Sequence, residues 1–214
     1  MNEIYVLGVG GSTPLFIELA EACGYKVVGL YHYNDERTGE NEHGFTILGS
    51  FDDMLKSDIR GKKILLSQGN MKIRKELTDK IKAVGGIIPT LIHPTAIVSR
   101  FANISDDGVC IGANCIIQAD VVINAGGVIR DMALVCHQTI IGNYCFIGPK
   151  ALVGAHILIE DFAFIGQSSL LVSGKVRNVG GNTLVGAGAV VTKELPADVV
   201  VVGNPARIIS HIAK

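Results

Sequence analysis

Histidine is the residue type in this chain best suited to proton transfer near neutral pH. It occurs at His32, His43, His93, His137, His156 and His211. A second stretch with chemical potential is Gly8-Val9-Gly10-Gly11-Ser12, which follows the apolar run Ile4–Leu7 and precedes a helical pattern. A strand, a glycine-rich turn and a helix N-terminus together present backbone N–H groups and the positive end of a helix dipole to an anion. The loop is not a full dinucleotide fingerprint, because Thr13 stands where the third glycine would be. The acid expected near the end of the next strand is also replaced, by His32, Tyr33 and Asn34. The loop reads as a phosphate or nucleotide-sugar site, with a purely structural turn as the alternative. Five cysteines, Cys23, Cys110, Cys115, Cys136 and Cys145, form no C-x-x-C pair and no close Cys/His cluster, so no metal site is expected. An odd number without a secretory signal favours reduced thiols in a cytoplasmic setting.

The element that places His137 is a repeat. At every sixth residue from Ile111 to Leu171 the chain carries Ile, Leu or Val, and the position two before each is small or β-branched almost throughout. A period of six fits a parallel β-helix, in which three hexads make one coil and residues eighteen apart stack. The aliphatic position points inward. His137 lies two residues after the inward Val135, which puts it at or near an outer corner. A lone histidine is more often structural, and that alternative stands at this level. Cys136 is adjacent to His137, but neighbours in the repeat do not form a Cys-His nucleophile pair. Cys115 and Cys145 fill the small position and read as buried packing residues. After Leu171 the spacing slips to eight, to Val179, which implies a loop over 172–178.

Residues 1–92 follow another pattern. Strands at Ile4–Leu7, Lys26–Tyr31, Lys63–Ser67 and Ile87–Ile92 alternate with helical stretches that include Phe51–Lys56 and Lys72–Val84. Asn70 is placed to cap the last of these, and Ile73, Leu77, Ile81 and Val84 are expected on its inner face. Gly24 ends the first helix. Asn34–His43 reads as a loop and Ile208–Lys214 as a tail helix. The expected architecture is a Rossmann-like α/β domain over 1–92, with a parallel sheet and helices on both faces, followed by a β-helix over 93–214. The chain is 48% hydrophobic but only 6% aromatic, as an aliphatic β-helix core requires. The net charge of -1 argues against nucleic acid. The opening Met1–Tyr5 has no basic n-region, and no apolar run is long enough to span a membrane.

The glycine loop at 8–12, Gln68-Gly69-Asn70 with Arg74, His93-Pro94-Thr95-Ala96, the hexads and Gly203-Asn204-Pro205-Ala206-Arg207 together give the chain its family likeness. It resembles the hexapeptide-repeat acyltransferases, and within them the sugar acetyltransferases of bacterial glycan biosynthesis, both nucleotide-amino-sugar N-acetyltransferases and sialic acid O-acetyltransferase relatives. The resemblance implies a left-handed β-helix and a homotrimer. It implies acetyl-CoA as co-substrate in a groove between neighbouring β-helices, no metal, and a nucleotide-sugar in the N-terminal domain. It implies His137 as general base, with Gln138 where the family usually has an orienting acid. A second family histidine is replaced by Phe146 near the acetyl group, and an asparagine by Arg130. Ala155, Gln167 and Ala187 are expected to line the pantetheine groove, with Lys193 and Arg207 as candidates for the CoA phosphates. Gly10, Gly11, Ser12, His32, Tyr33, Gln68 and Asn70 are the expected substrate-side residues. The implied reaction is direct acetyl transfer to the amino group of a nucleotide-linked amino sugar. O-acetylation of a sugar or sialic acid is an alternative, and so is a catalytically degenerate trimeric binding protein.

Overall fold

The structure is a computed structural model that describes residues 2–212. It divides along the chain into two compact units, Met1–Leu91 and Ile92–Lys214. The first unit runs β1 (Asn2–Leu7), α1 (Thr13–Ala22), β2 (Tyr25–His32), β3 (Asn41–Glu42), β4 (Phe45–Ser50), α2 (Phe51–Lys56), β5 (Ile64–Leu66) and α3 (Met71–Ala83). Its sheet has the order β3-β4-β2-β1-β5. Every pairing is parallel except that of β3 with β4, a short antiparallel pair whose first strand lies inside the stretch Asn34–His43 expected to be loop. Ile4, Val6, Leu7, Leu30, Ile47 and Ile64–Leu66 are fully buried, as strands in a parallel sheet require.

The helices follow their local signals. Ser50 and Asp53 form a reciprocal capping box on α2. Asn70 accepts from the N–H groups of Lys72 and Ile73 at the start of α3. Gly24, with φ +79, follows the end of α1 in the left-handed region. The inner face of α3 differs from the expected one. Leu77 and Ile81 are buried, but Ile73 and Val84 are exposed, and Met71, Arg74 and Thr78 take the inner positions. The helix turns towards Arg74 because its guanidinium donates to the Leu66 carbonyl at the end of β5 and lies 6.0 Å from the Phe16 ring.

The second unit is a three-sided parallel β-helix of two-residue strands. Successive coils pair with an eighteen-residue offset, as in Ile116 with Leu134 and Leu134 with Leu152. All eleven aliphatic positions from Ile111 to Leu171 are buried, with at most 1% exposure, and they form one core with Val179, Val185 and Val191. The small positions two before them, such as Cys115, Ala133 and Cys145, are buried inside the corners. One residue per corner takes a left-handed backbone: Asn114, Asp120, Met132, Gln138, Tyr144, Lys150, His156, Phe162 and Ser168 all have φ of 51 to 61° or close to it, up to 63° at Met132.

Two features depart from the sequence reading and one follows it. The ladder starts earlier, at Leu91–Ile92, Ile97–Val98 and Asn103–Ile104, and the core spacing of seven from Ile104 to Ile111 hides the earlier hexads. The slip after Leu171 is a loop between the strands Leu170–Leu171 and Asn178–Val179, as expected. The expected tail helix is instead a strand, Arg207–His211, antiparallel to Val199–Val202. The β-branched pair Ile208-Ile209 suits a strand, and the hairpin covers the open edge of the last coil. Ala213 and Lys214 lie outside the described residues.

The stacked core makes a direct prediction. Ile159→Ala removes a side chain with no exposure and should cost about 2–5 kcal/mol in urea unfolding. Leu158→Ala, next to it but 40% exposed, should cost less than about 1 kcal/mol. Equal losses for the two would contradict the inward register.

Candidate active site

In the first unit the glycine loop meets the end of β5. A cavity of about 160 Å³ is lined by Gly8, Val9, Gly10, Ser12, Thr13, Ser67, Gln68 and Gly69. Thr13, at the place of the missing third glycine, is buried and ties the loop together. It accepts from the Gly10 N–H at 2.9 Å and contacts the Gly8 carbonyl at 3.2 Å and Ser67 Oγ at 3.3 Å. Gly8 is fixed by the same contact: a Cβ there would lie 2.3 Å from Ser67 Oγ, on a backbone with φ +120. Gly10 and Gly11 face open space, which leaves room for a ligand at the start of α1. His32, at the end of β2, is buried and has Nδ1 2.7 Å from Asn34 Oδ1. The exposed Tyr33 ring lies 4.2 Å from the His32 ring. The expected substrate-side residues therefore separate. Gly10, Ser12 and Gln68 line the cavity, Gly11 adjoins it, His32 and Tyr33 stand at the end of the next strand, and the Asn70 side-chain carbonyl is committed to capping α3.

In the second unit His137 is exposed at the corner that follows the strand Leu134–Val135. It lies at the rim of a cleft of about 620 Å³, lined on one side by Ile97, Val98, Ile116 and Ile117, with Gln118, Asp120 and Gln138 beside it. Two contacts hold its backbone. Its N–H donates to Gln118 Oε1 at 2.9 Å, and its carbonyl accepts from the His156 N–H at 3.2 Å. The His156 ring stands edge-on to its own, with centroids 5.1 Å apart and planes at 89°. Sequence reasoning missed both partners. The available signal was a spacing of nineteen, one coil plus one residue, before and after His137.

The other candidate residues lie on two corners. Ala155, Ser173 and Lys193 continue the His137 corner in successive coils. Gln167 and Ala187 belong to a different corner, the one that follows the strands containing Phe164 and Leu184. Phe146 lies on that second face, stacked on Phe164 with centroids 4.7 Å apart and planes at 5°. The Ala155 N–H is taken by Ser173 Oγ at 2.9 Å. Gly148 and Gly166 allow the second corner to close: a Cβ on either would sit 2.6 Å from the Gln167 nitrogen or 2.7 Å from the Ala187 nitrogen. Arg207 donates to its neighbour's carbonyl in the terminal hairpin.

Electrostatics narrow the roles. Asp131 sits on the second corner, one coil below Pro149, where it accepts from the Ala113 N–H and from Arg130. Arg130 is thus an ion-pair partner at a corner. Burial opposes ionisation of Asp131, but the Arg130 guanidinium and the Ala113 N–H outweigh it and hold the carboxyl below its usual range. Burial raises the Cys136 thiol, pushes Cys115 to about 11 and pushes Cys145 to about 12. Cys115 and Cys145 also donate to corner carbonyls, of Arg130 and Glu160. Cys115 and Cys145 are buried packing residues, and Cys136 is half-buried. Among the described residues no group of His, Cys, Asp and Glu is arranged to hold a metal ion, and no helix is long and apolar enough to cross a membrane.

A stacked β-helix with an exposed corner histidine, preceded by an α/β unit with an anion-type loop, defines an acyltransferase scaffold. Residues 3–81 match the family model of the PglD N-terminal domain. Over 97% of its length the chain is 30% identical to the GDP-perosamine N-acetyltransferase of Escherichia coli O157:H7, across 96% of that protein. The chain belongs to this family of hexapeptide-repeat sugar acetyltransferases, and it is an acyltransferase. Several solved structures resemble it along almost the whole chain. The acetyltransferase domain of PglB from Neisseria gonorrhoeae, in complex with acetyl coenzyme A, is 29% identical with a TM-score of 0.86, covering 97% of this chain and 99% of that one. A His-to-Asn mutant of perosamine N-acetyltransferase from Caulobacter crescentus, in complex with CoA and GDP-perosamine, is 25% identical with a TM-score of 0.71, covering 98% of each. The β-helix is of the left-handed type that the sequence resemblance implies.

Asp131 gives the site a pH signature. A carboxyl with a folded value below its unfolded one adds stability above about pH 4, and that stability is lost as pH falls through the folded value. Asp131→Asn should therefore flatten the acid limb of a stability-versus-pH profile and change little at pH 7 to 8. Superposable acid limbs for wild type and variant would contradict this assignment.

Proposed function

We propose that this protein transfers the acetyl group of acetyl-CoA directly to the amino group of a nucleotide-linked amino sugar, with His137 as general base. The observation that carries the reading is the exposed His137 imidazole at the rim of an apolar cleft. The relatives supply the chemical class: acetyl coenzyme A in one complex, and CoA with GDP-perosamine in another.

His137 takes the proton of the acceptor amine as its nitrogen attacks the thioester carbonyl. The carbonyl carbon becomes tetrahedral, its oxygen carries the negative charge, and the CoA thiolate leaves as the carbonyl re-forms. Backbone N–H groups at the corners are the available donors for that oxygen. The Gln167 and Ala187 amides have no protein acceptor among the described residues, whereas the Ala155 amide is already engaged by Ser173. No acyl-enzyme is required, and Gln138 has no acid's charge to lend the imidazolium.

The nucleotide part sits at the glycine loop, where Gly10, Ser12 and Gln68 line the cavity and the start of α1 favours phosphate. His32, at the end of β2, and Tyr33 beside it take the ribose side of the nucleotide in this reading. The protein works as a homotrimer. This reading is supported by the separation of His137 and Ala155 from Gln167 and Ala187 on different corners of one β-helix. Packing between copies would let one acetyl-CoA reach both sets, with Phe146 near the acetyl end. The cytoplasm, where acetyl-CoA and nucleotide sugars are made, is the compartment.

His137→Asn should lower the rate of CoA release, followed with a thiol reagent, by about 10²–10⁴-fold. Turnover within a few-fold of wild type would remove His137 from the mechanism. Calorimetric titration with UDP, GDP and dTDP should find one that binds the wild type and is unaffected by this substitution. Failure of all three would favour a free-sugar O-acetyltransferase.

A further inference from the structure

The outstanding question at the site is what holds the His137 ring. The residue after it is Gln138, which makes no hydrogen bond to the imidazole, and Asp131 is engaged with Arg130 and Ala113 on another corner. Gln118 binds the His137 backbone and not its ring. Among the described residues no ion pair or hydrogen bond reaches the imidazole, and its one ring contact is His156.

We propose that His156 is a positioning residue for His137, taking over in this chain the orienting task that a following acid would otherwise perform. The inference rests on the reading of His137 as the base. Two attachments link the pair: the His156 N–H donates to the His137 carbonyl at 3.2 Å, and the rings meet edge-on at 5.1 Å. The first fixes the coil spacing under the rings, and the second restricts rotation of the His137 imidazole. An edge-to-face contact between aromatic rings has a preferred geometry, so it holds a ring where solvent alone would not.

The turn itself does not require histidine. His156 occupies the left-handed corner position with φ +61, and other corners place asparagine there (Asn114, Asn182) or glycine (Gly126, Gly174, Gly188). Asparagine adopts this backbone more readily than most residues do. The side chain at 156 is therefore available for a role other than turning the chain, and its ring lies against the candidate base.

The same backbone tolerance makes the test clean, because His156→Asn should fold as well as wild type. The expected result is a kcat reduced about tenfold, with KM for acetyl-CoA and for the sugar nucleotide within about twofold and Tm unchanged or raised. His156→Phe, which keeps a ring without a titratable nitrogen, should recover kcat to within about threefold. His156→Asn placed on His137→Asn should cause no further loss, because the residue acts through His137. A His156→Asn enzyme with wild-type kcat would overturn the proposal. So would a loss that phenylalanine fails to repair, or one that persists in the His137→Asn background. An inactive His137→Asn with a fully active His156→Asn would remove the positioning role alone. A fully active His137→Asn would remove the base assignment, and the positioning role with it.

Discussion

The stacking of one coil on the next is the constraint on which the rest of this structure depends. Each two-residue strand bonds to strands eighteen residues away, and the aliphatic side chain of each hexad fills the axis. No single coil can bury that core, so the ladder is stable only as a stack. The consequence for function is one of register. Once the inward positions are fixed, each outward residue has a fixed height and corner. The outward position of His137, the proposed base, is thus set by core residues such as Val135 and Val153.

The corners show how tightly this register is specified. A β-helix corner leaves outward N–H groups without a strand partner, and side chains from adjacent coils satisfy several of them. Asp131 serves Ala113, Asp161 serves Asn143, Ser173 serves Ala155, and Gln118 serves His137. Where a corner sits beneath the next with no space to spare, glycine is the residue present, as at Gly148 and Gly166. The exposed Gln167 and Ala187 amides, left without such a cap, stand out as donors available to a ligand.

Much of this was legible in the sequence. The period of six placed Val135 inside and His137 outside, and it placed the loop after Leu171. Propensity and capping located Asn70 and the Gly24 turn. The failures have physical causes. One additional residue before Ile111 broke the count and hid the first coils. The strand at Ile208-Ile209 is not legible locally, because the unpaired edge of the final coil that it covers is a tertiary feature. Ile73 was expected inside α3 because an arginine is rarely chosen for a core, yet Arg74 reaches the Leu66 carbonyl from there. The His137–His156 contact was missed because stacking was counted at eighteen, whereas side chains at the turn lean across by one further residue.

The central claim is that a stacked β-helix carries direct acetyl transfer to a nitrogen of a nucleotide-linked sugar. Carbonyl-labelled acetyl-CoA, incubated with the enzyme and a nucleotide-linked amino sugar, tests it by carbon-13 NMR of the product. The account predicts an amide carbonyl on the sugar that survives hydroxylamine. A hydroxylamine-labile ester on the sugar, or label found only in free acetate, would contradict it.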